Sequence, residues 1–157
     1  MFYLGGSIIL CYDLFMKMLG IDYGTKKIGL AVSDEEGRIA FPRIVLKNDG
    51  NAMLVICDFC KKENIEGIVI GESLNFKGEK NKVMDQITPF KTLLEEKTSV
   101  PVFFESEFLS SKQARNVHDS GELNDASAAA IILQSYLDKV KNKSGKATGS
   151  LLDNFNF

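Results

Sequence analysis

The chain has 157 residues, 45% of them apolar, which is enough for one domain with a substantial core. A formal net charge of −2 and a pI near 5.5 exclude a uniformly basic nucleic-acid coat, so any polyanion must be held by a local patch. Three cysteines suit a reducing cytoplasm better than a disulfide scaffold.

Residues 1–17 form an apolar leader without a basic head. Asp13 interrupts it and no small-residue cleavage site follows, so it does not read as a secretory signal, and it is too short and broken to span a membrane. It is read as an N-terminal extension, either an added strand or helix or a stretch upstream of a true start at Met16 or Met18. Strands are expected near 18–23, 27–33 and 39–46, an antiparallel beginning. The first of these delivers Asp22 beside the turn Tyr23-Gly24-Thr25-Lys26. Gly24 can take the positive φ of a hairpin while leaving no side chain to obstruct a phosphate. Thr25, Lys26 and Lys27 can donate toward an anion. Asp22 offers hard oxygen ligands suited to Mg²⁺ or Mn²⁺. An ordinary hairpin whose Asp accepts turn hydrogen bonds would read the same way, so other acids must decide.

A helix is expected over 52–62, where Met53, Ile56, Cys57 and Cys60 share one face. This C-x-x-C lies in mid-helix and has no second ligand pair, so it reads as core packing and not as a zinc or redox site. The run Gly67-Ile68-Val69-Ile70 is a buried strand, with Glu72 just past it as either a sheet-edge carboxylate or a solvated loop acid. Asn75-Phe76-Lys77-Gly78 reads as a loop over the same edge, and Lys77, Lys80 and Lys82 join Lys26 and Lys27 as candidate phosphate contacts. A second buried strand, Val100 to Phe104, leads into Glu105-Ser106-Glu107. The lone His118 has no matched partner and stays outside the candidate set. Asn124 is placed as an N-cap and Asp125 in the first turn of a helix on which Ala128, Ala129, Ile132, Leu133 and Tyr136 recur at helical spacing. Residues 141–157 begin polar and Gly-containing and are expected to form a disordered tail.

In order along the chain stand Gly20-Ile21-Asp22-Tyr23-Gly24, Ile28-Gly29-Leu30-Ala31-Val32-Ser33-Asp34, Gly71 with Leu74-Asn75 and Gly78, and Pro101-Val102. They are followed by Glu107 with Leu109-Ser110-Ser111 and Ala114, and by Asp125 with Ala128-Ala129 and Ile132 through Leu137. This succession resembles the bacterial YqgF-type proteins, also described as Holliday-junction-resolvase-like proteins or nucleases of ribosomal RNA precursors. The resemblance implies an α/β, ribonuclease H-like domain over 18–140. Its mixed five-stranded sheet, three antiparallel strands followed by two parallel ones, is flanked by helices. It further implies that Asp22, Glu107 and Asp125 gather at one sheet edge and hold divalent metal, Mg²⁺ or Mn²⁺. Carboxylates so close repel one another, and a cation relieves that conflict.

Three departures from the family pattern stand out. The usual Asp-Glu-Arg triplet reads Ser106-Glu107-Phe108, so the central acid survives without its acidic and basic neighbours. Glu105 can replace the lost acid where the extended conformation persists. The usual Gly-Leu-Pro reads Gly71-Glu72-Ser73, and the connection 117–123 lacks a basic cluster. Glu72 and Glu105 are therefore auxiliary metal candidates, while Gly24, Thr25, Lys26, Lys27, Asn75 and Lys77 are expected on the substrate side. The expected function is a cytoplasmic, metal-dependent nuclease trimming the 5′ end of pre-16S ribosomal RNA, with no membrane partner, as a monomer or homodimer. Pre-rRNA ranks ahead of junction DNA. The alternatives are a Holliday junction resolvase, or a non-catalytic nucleic-acid- or protein-binding module on the same fold.

Overall fold

The computed structural model describes residues 16–72, 82–106 and 123–152. Five strands, β1 (Met18–Tyr23), β2 (Lys27–Ser33), β3 (Ala40–Lys47), β4 (Gly67–Glu72) and β5 (Val102–Ser106), form one sheet in the order β3-β2-β1-β4-β5. β1, β2 and β3 are antiparallel neighbours, whereas β4 and β5 run parallel to β1. This is the three-plus-two sheet that the family resemblance implies. Helices α1 (Ala52–Lys62), α2 (Met84–Thr98) and α3 (Leu123–Leu152) cover it.

The core divides by strand alternation. Leu19, Ile21, Ile28, Leu30, Ile68 and Ile70 point to one face and pack with Ile56, Cys57 and Cys60 of α1 and with Met84, Ile87 and Leu94 of α2. Met18, Ala31 and Val69 point to the other face and meet Ala129, Ile132, Leu133 and Leu137 of α3. β4 is buried from Gly67 to Gly71, as an apolar run covered on both faces must be. Burial pushes the Cys60 thiol up to about 12, with Cys57 adding to the effect, which accords with packing and not with reactive thiols. Pro89 lies inside α2 and offers no N–H to the carbonyl of Asp85, yet the helix persists around the buried Met84, Ile87 and Leu94.

Several boundaries differ from expectation. β3 begins at Ala40 and reaches Lys47, with a bulge opposite Leu30 and Ala31 that leaves Arg43 as the extra residue. β5 starts after Pro101, because proline has no N–H for the ladder, and continues through Glu105 to Ser106. α3 begins at Leu123, so Asn124 lies inside it, and runs to Leu152, into the segment expected to be a disordered tail. Lys, Ala and Leu between 141 and 152 are compatible with helix once the preceding turns are fixed against the sheet. The leader through Phe15, the loop at Asn75, residues 107–122 with most of the connection before Asp125, and residues 153–157 lie outside the described residues. Among the described residues no helix is long and apolar enough to cross a membrane.

Candidate active site

Asp22 follows Met18 and Gly20 in the alternation of β1, so it faces α3 while Ile21 and Tyr23 face α1 and α2. Two glycines explain how α3 comes so near. A Cβ on Gly20 would lie 2.7 Å from the Ala129 carbonyl oxygen and 2.7 Å from the Leu133 Cβ. A Cβ on Gly29 would collide with the carbonyl of Asp125. With both side chains absent, the helix backbone rests directly on β1 and β2. Gly29 is also the direct partner of Asp22 in the antiparallel register, so the first turn of α3 arrives beside Asp22. Asp125 is the acid of that turn, and both carboxylates are half-buried. The structure therefore brings two sequence-predicted acids to one face of the sheet.

The turn between β1 and β2 is fixed from two sides. The Gly24 N–H donates to the Lys27 carbonyl (2.9 Å), and the Asn48 side-chain amide donates to the Gly24 carbonyl (2.8 Å). The Asn48 N–H also donates to the Lys26 carbonyl (2.9 Å). Gly24 does not adopt the left-handed conformation expected of it, and Gly37 is the glycine with positive φ among the described residues. Its requirement is steric, since a Cβ would stand 2.6 Å from the Lys27 carbonyl oxygen. Thr25, Lys26 and Lys27 project into solvent from this braced turn. Asn48 is a residue that sequence reasoning missed. Its only signal was membership in the polar Lys47-Asn48-Asp49-Gly50 turn, which does not reveal that its partner lies across the hairpin.

The other candidates are placed differently. Ile21 pairs with Ile70, so Asp22 is level with Gly71, which in turn pairs with Glu105. Glu105 shares the α3-facing side with Asp22, but its Oε1 is engaged by the Lys139 ammonium and accepts the Ser135 hydroxyl (3.1 Å). Glu72 alternates with Ile68 and Ile70 to the opposite face, so the structure does not bring it to Asp22. Glu107, Asn75 and Lys77 lie outside the described residues. Among the described residues no group of three or more His, Cys, Asp or Glu is placed to share a metal ion. Asp22 on β1 and Asp125 in the first turn of α3 are both half-buried, and carboxylates are hard oxygen ligands of the kind Mg²⁺ and Mn²⁺ take.

Residues 16–139 match the sequence profile of the family described as "RuvX: Holliday junction resolvase". A relative from Nitratidesulfovibrio vulgaris, named "Putative pre-16S rRNA nuclease", is 37% identical over 133 residues, covering 78% of this chain and 94% of its own length. A protein of the same name from Syntrophus aciditrophicus is 31% identical over 138 residues, covering 82% of this chain and 92% of its own length. Two solved structures share the fold. T. thermophilus RuvC in complex with Holliday junction substrate has a TM-score of 0.54 at 18% identity, covering 78% of this chain and 94% of that one. The Fowlpox virus resolvase in complex with substrate Holliday junction DNA has a TM-score of 0.53 at 14% identity, covering 80% and 99%.

Proposed function

The chain belongs to the RuvX family, and from that membership we propose that it is a divalent-metal-dependent nuclease hydrolysing phosphodiester bonds at the edge where Asp22 meets the start of α3. The observation that carries this reading is the glycine-mediated approach of the Asp125 turn to Asp22. A backbone contact that close, with an acid in the helical turn and another on the adjoining strand, supports a shared site for a hard cation and a phosphate.

Asp22, Asp125 and Glu107 would hold Mg²⁺ or Mn²⁺. When bound, the ion supplies Lewis-acid stabilisation of charge at phosphorus. Asp22 and Asp125 would present their oxygens to that ion from different elements, one on a central strand and one in a first helical turn. Lys26 and Lys27, with the Thr25 hydroxyl, offset phosphate charge from the braced turn. Asn75 and Lys77 are assigned to the substrate side on the family pattern. Glu105, already held by Lys139, anchors β5 to α3, and Glu72 faces away; neither is assigned to the ion. Names carried by relatives at 37% and 31% identity favour pre-16S ribosomal RNA as substrate; action at its 5′ end, in the cytoplasm, is part of the same proposal and follows the family resemblance of the sequence. One observation favours a second reading, a binding module without catalysis: Ser106-Glu107-Phe108 lacks the acid and the arginine usual on either side of the central Glu.

The test is cleavage of labelled pre-16S RNA, unstructured RNA and four-way DNA junctions in Mg²⁺ and in Mn²⁺. Asp22→Asn and Asp125→Asn are expected to lower the rate by at least about 100-fold with unchanged circular dichroism. Cleavage at the original rate by Asp22→Asn would refute the site, and binding without cutting by the parent would favour the second reading.

A further inference from the structure

A groove of about 930 Å³ runs between the start of α3 and the edge strand β3. Thr25, Lys26, Lys27, Lys47 and Asn48 contribute its polar wall, and Ala126 joins it to the turn that carries Asp125. Lys27 and Lys47 are direct cross-strand partners at the end of the β2–β3 ladder. Like charges opposed in this way destabilise a sheet, and among the described residues neither side chain has an ion pair. Lys26, one residue before Lys27, is likewise without an ion pair among the described residues, and no acid is among the described residues that line the groove. The backbone beneath these cations is rigid, because Asn48 joins the end of β3 to the Gly24 carbonyl and the Lys26 carbonyl.

We infer that Lys27 and Lys47, with Lys26 beside them, form a phosphate subsite that grips the RNA strand next to the bond being cut. This rests on the nuclease reading for its choice of ligand. An unneutralised lysine pair, level in register and open to a groove that ends at the metal-binding edge, is suited to a phosphodiester backbone. A phosphate between the two ammonium groups turns their repulsion into two attractions. The groove's remaining lining is Pro42, Arg43, Ile44, Val45 and Leu46. Arg43 is itself drawn toward Glu63 (3.7 Å), so the grip falls to the lysines at the active end.

The test is equilibrium binding of a fluorescein-labelled single-stranded RNA, read by anisotropy over a salt series in EDTA so that no cleavage intervenes. Each phosphate neutralised on a single strand contributes about 0.7 to the slope of log affinity against log salt. The double variant Lys27→Gln/Lys47→Gln is expected to lower that slope by at least about 0.7. Lys27→Arg/Lys47→Arg should keep it, and Lys61→Gln, a change of charge on α1 away from the groove, should leave it unaltered. The subsite is overturned if the double Gln variant follows Lys61→Gln, or if the parent does not bind. A lowered slope in a protein that never cleaves would refute the nuclease reading and leave the subsite standing; unaltered slope with cleavage intact would refute the subsite alone.

Discussion

At the residue scale, the decisive positions are those with no side chain. Gly29 has no room for even a methyl group, because the carbonyl of Asp125 occupies that volume. Gly29→Ala is therefore expected to destabilise the fold by about 1–3 kcal/mol through overpacking. It should also displace the Asp125 turn and lower cleavage beyond what the lost stability explains. Urea unfolding and rate measurements on the same preparation check both. The sequence does contain Gly20 and Gly29, but their spacing alone does not reveal that α3 lies on them. A glycine in a strand signals close approach without naming what approaches. Asp22 was legible because a carboxylate ending an apolar run before a turn is chemically conspicuous. Asn48 was not, because its partner is 24 residues away and its local pattern is that of a turn.

At the element scale, β5 and α3 are joined by a buried carboxylate. Glu105 is only 5% exposed at its side chain, and Lys139 and Ser135 on α3 satisfy it. Lys139→Met should cost about 1–3 kcal/mol, since it strands a charge that water cannot reach. The double change Glu105→Leu/Lys139→Met should recover most of that loss. A thermal or denaturant midpoint for the two variants distinguishes this from a simple loss of surface charge. The strands were legible wherever burial is two-sided, as in β4, since apolar side chains then lack alternation. Strand order came from the family resemblance and not from periodicity. Whether Glu105 served a metal or a helix was beyond sequence reasoning, because its partner is 34 residues downstream on the opposite element.

At the scale of the whole molecule, one ionic network ties the start of the sheet to α1 and the edge strand. Lys17 Nζ contacts Glu63 (2.9 Å) and Glu35 (3.2 Å), and Arg43 approaches Glu63 from β3 (3.7 Å). The Lys17 ammonium is the main cause that holds the Glu63 carboxyl below its ordinary value of 4.5. A depressed carboxyl binds fewer protons folded than unfolded, so its stabilisation is complete above 4.5 and is lost as pH falls through the folded value. Glu63→Gln is expected to flatten the acid limb of the stability profile by less than about 1 kcal/mol, measured by urea unfolding from pH 7 to pH 3. The same bond raises the Lys17 pKa, which leaves that lysine's share intact throughout this range.

The length of α3 has a mechanical consequence. The helix has 30 residues, and its closest contact with the sheet, over Gly20 and Gly29, falls near its beginning. Contacts with the sheet side continue from there, since Tyr136 stacks on Phe103, Lys139 holds Glu105, and the Lys141 ammonium donates to the Arg38 carbonyl (2.9 Å). At about 1.5 Å per residue, Asp125 and Lys141 stand about 24 Å apart along the axis, so the helix is clamped over that span with the acid at its fixed end, and a load on the turns beyond Lys141 is taken up by these clamps before it reaches the carboxylate.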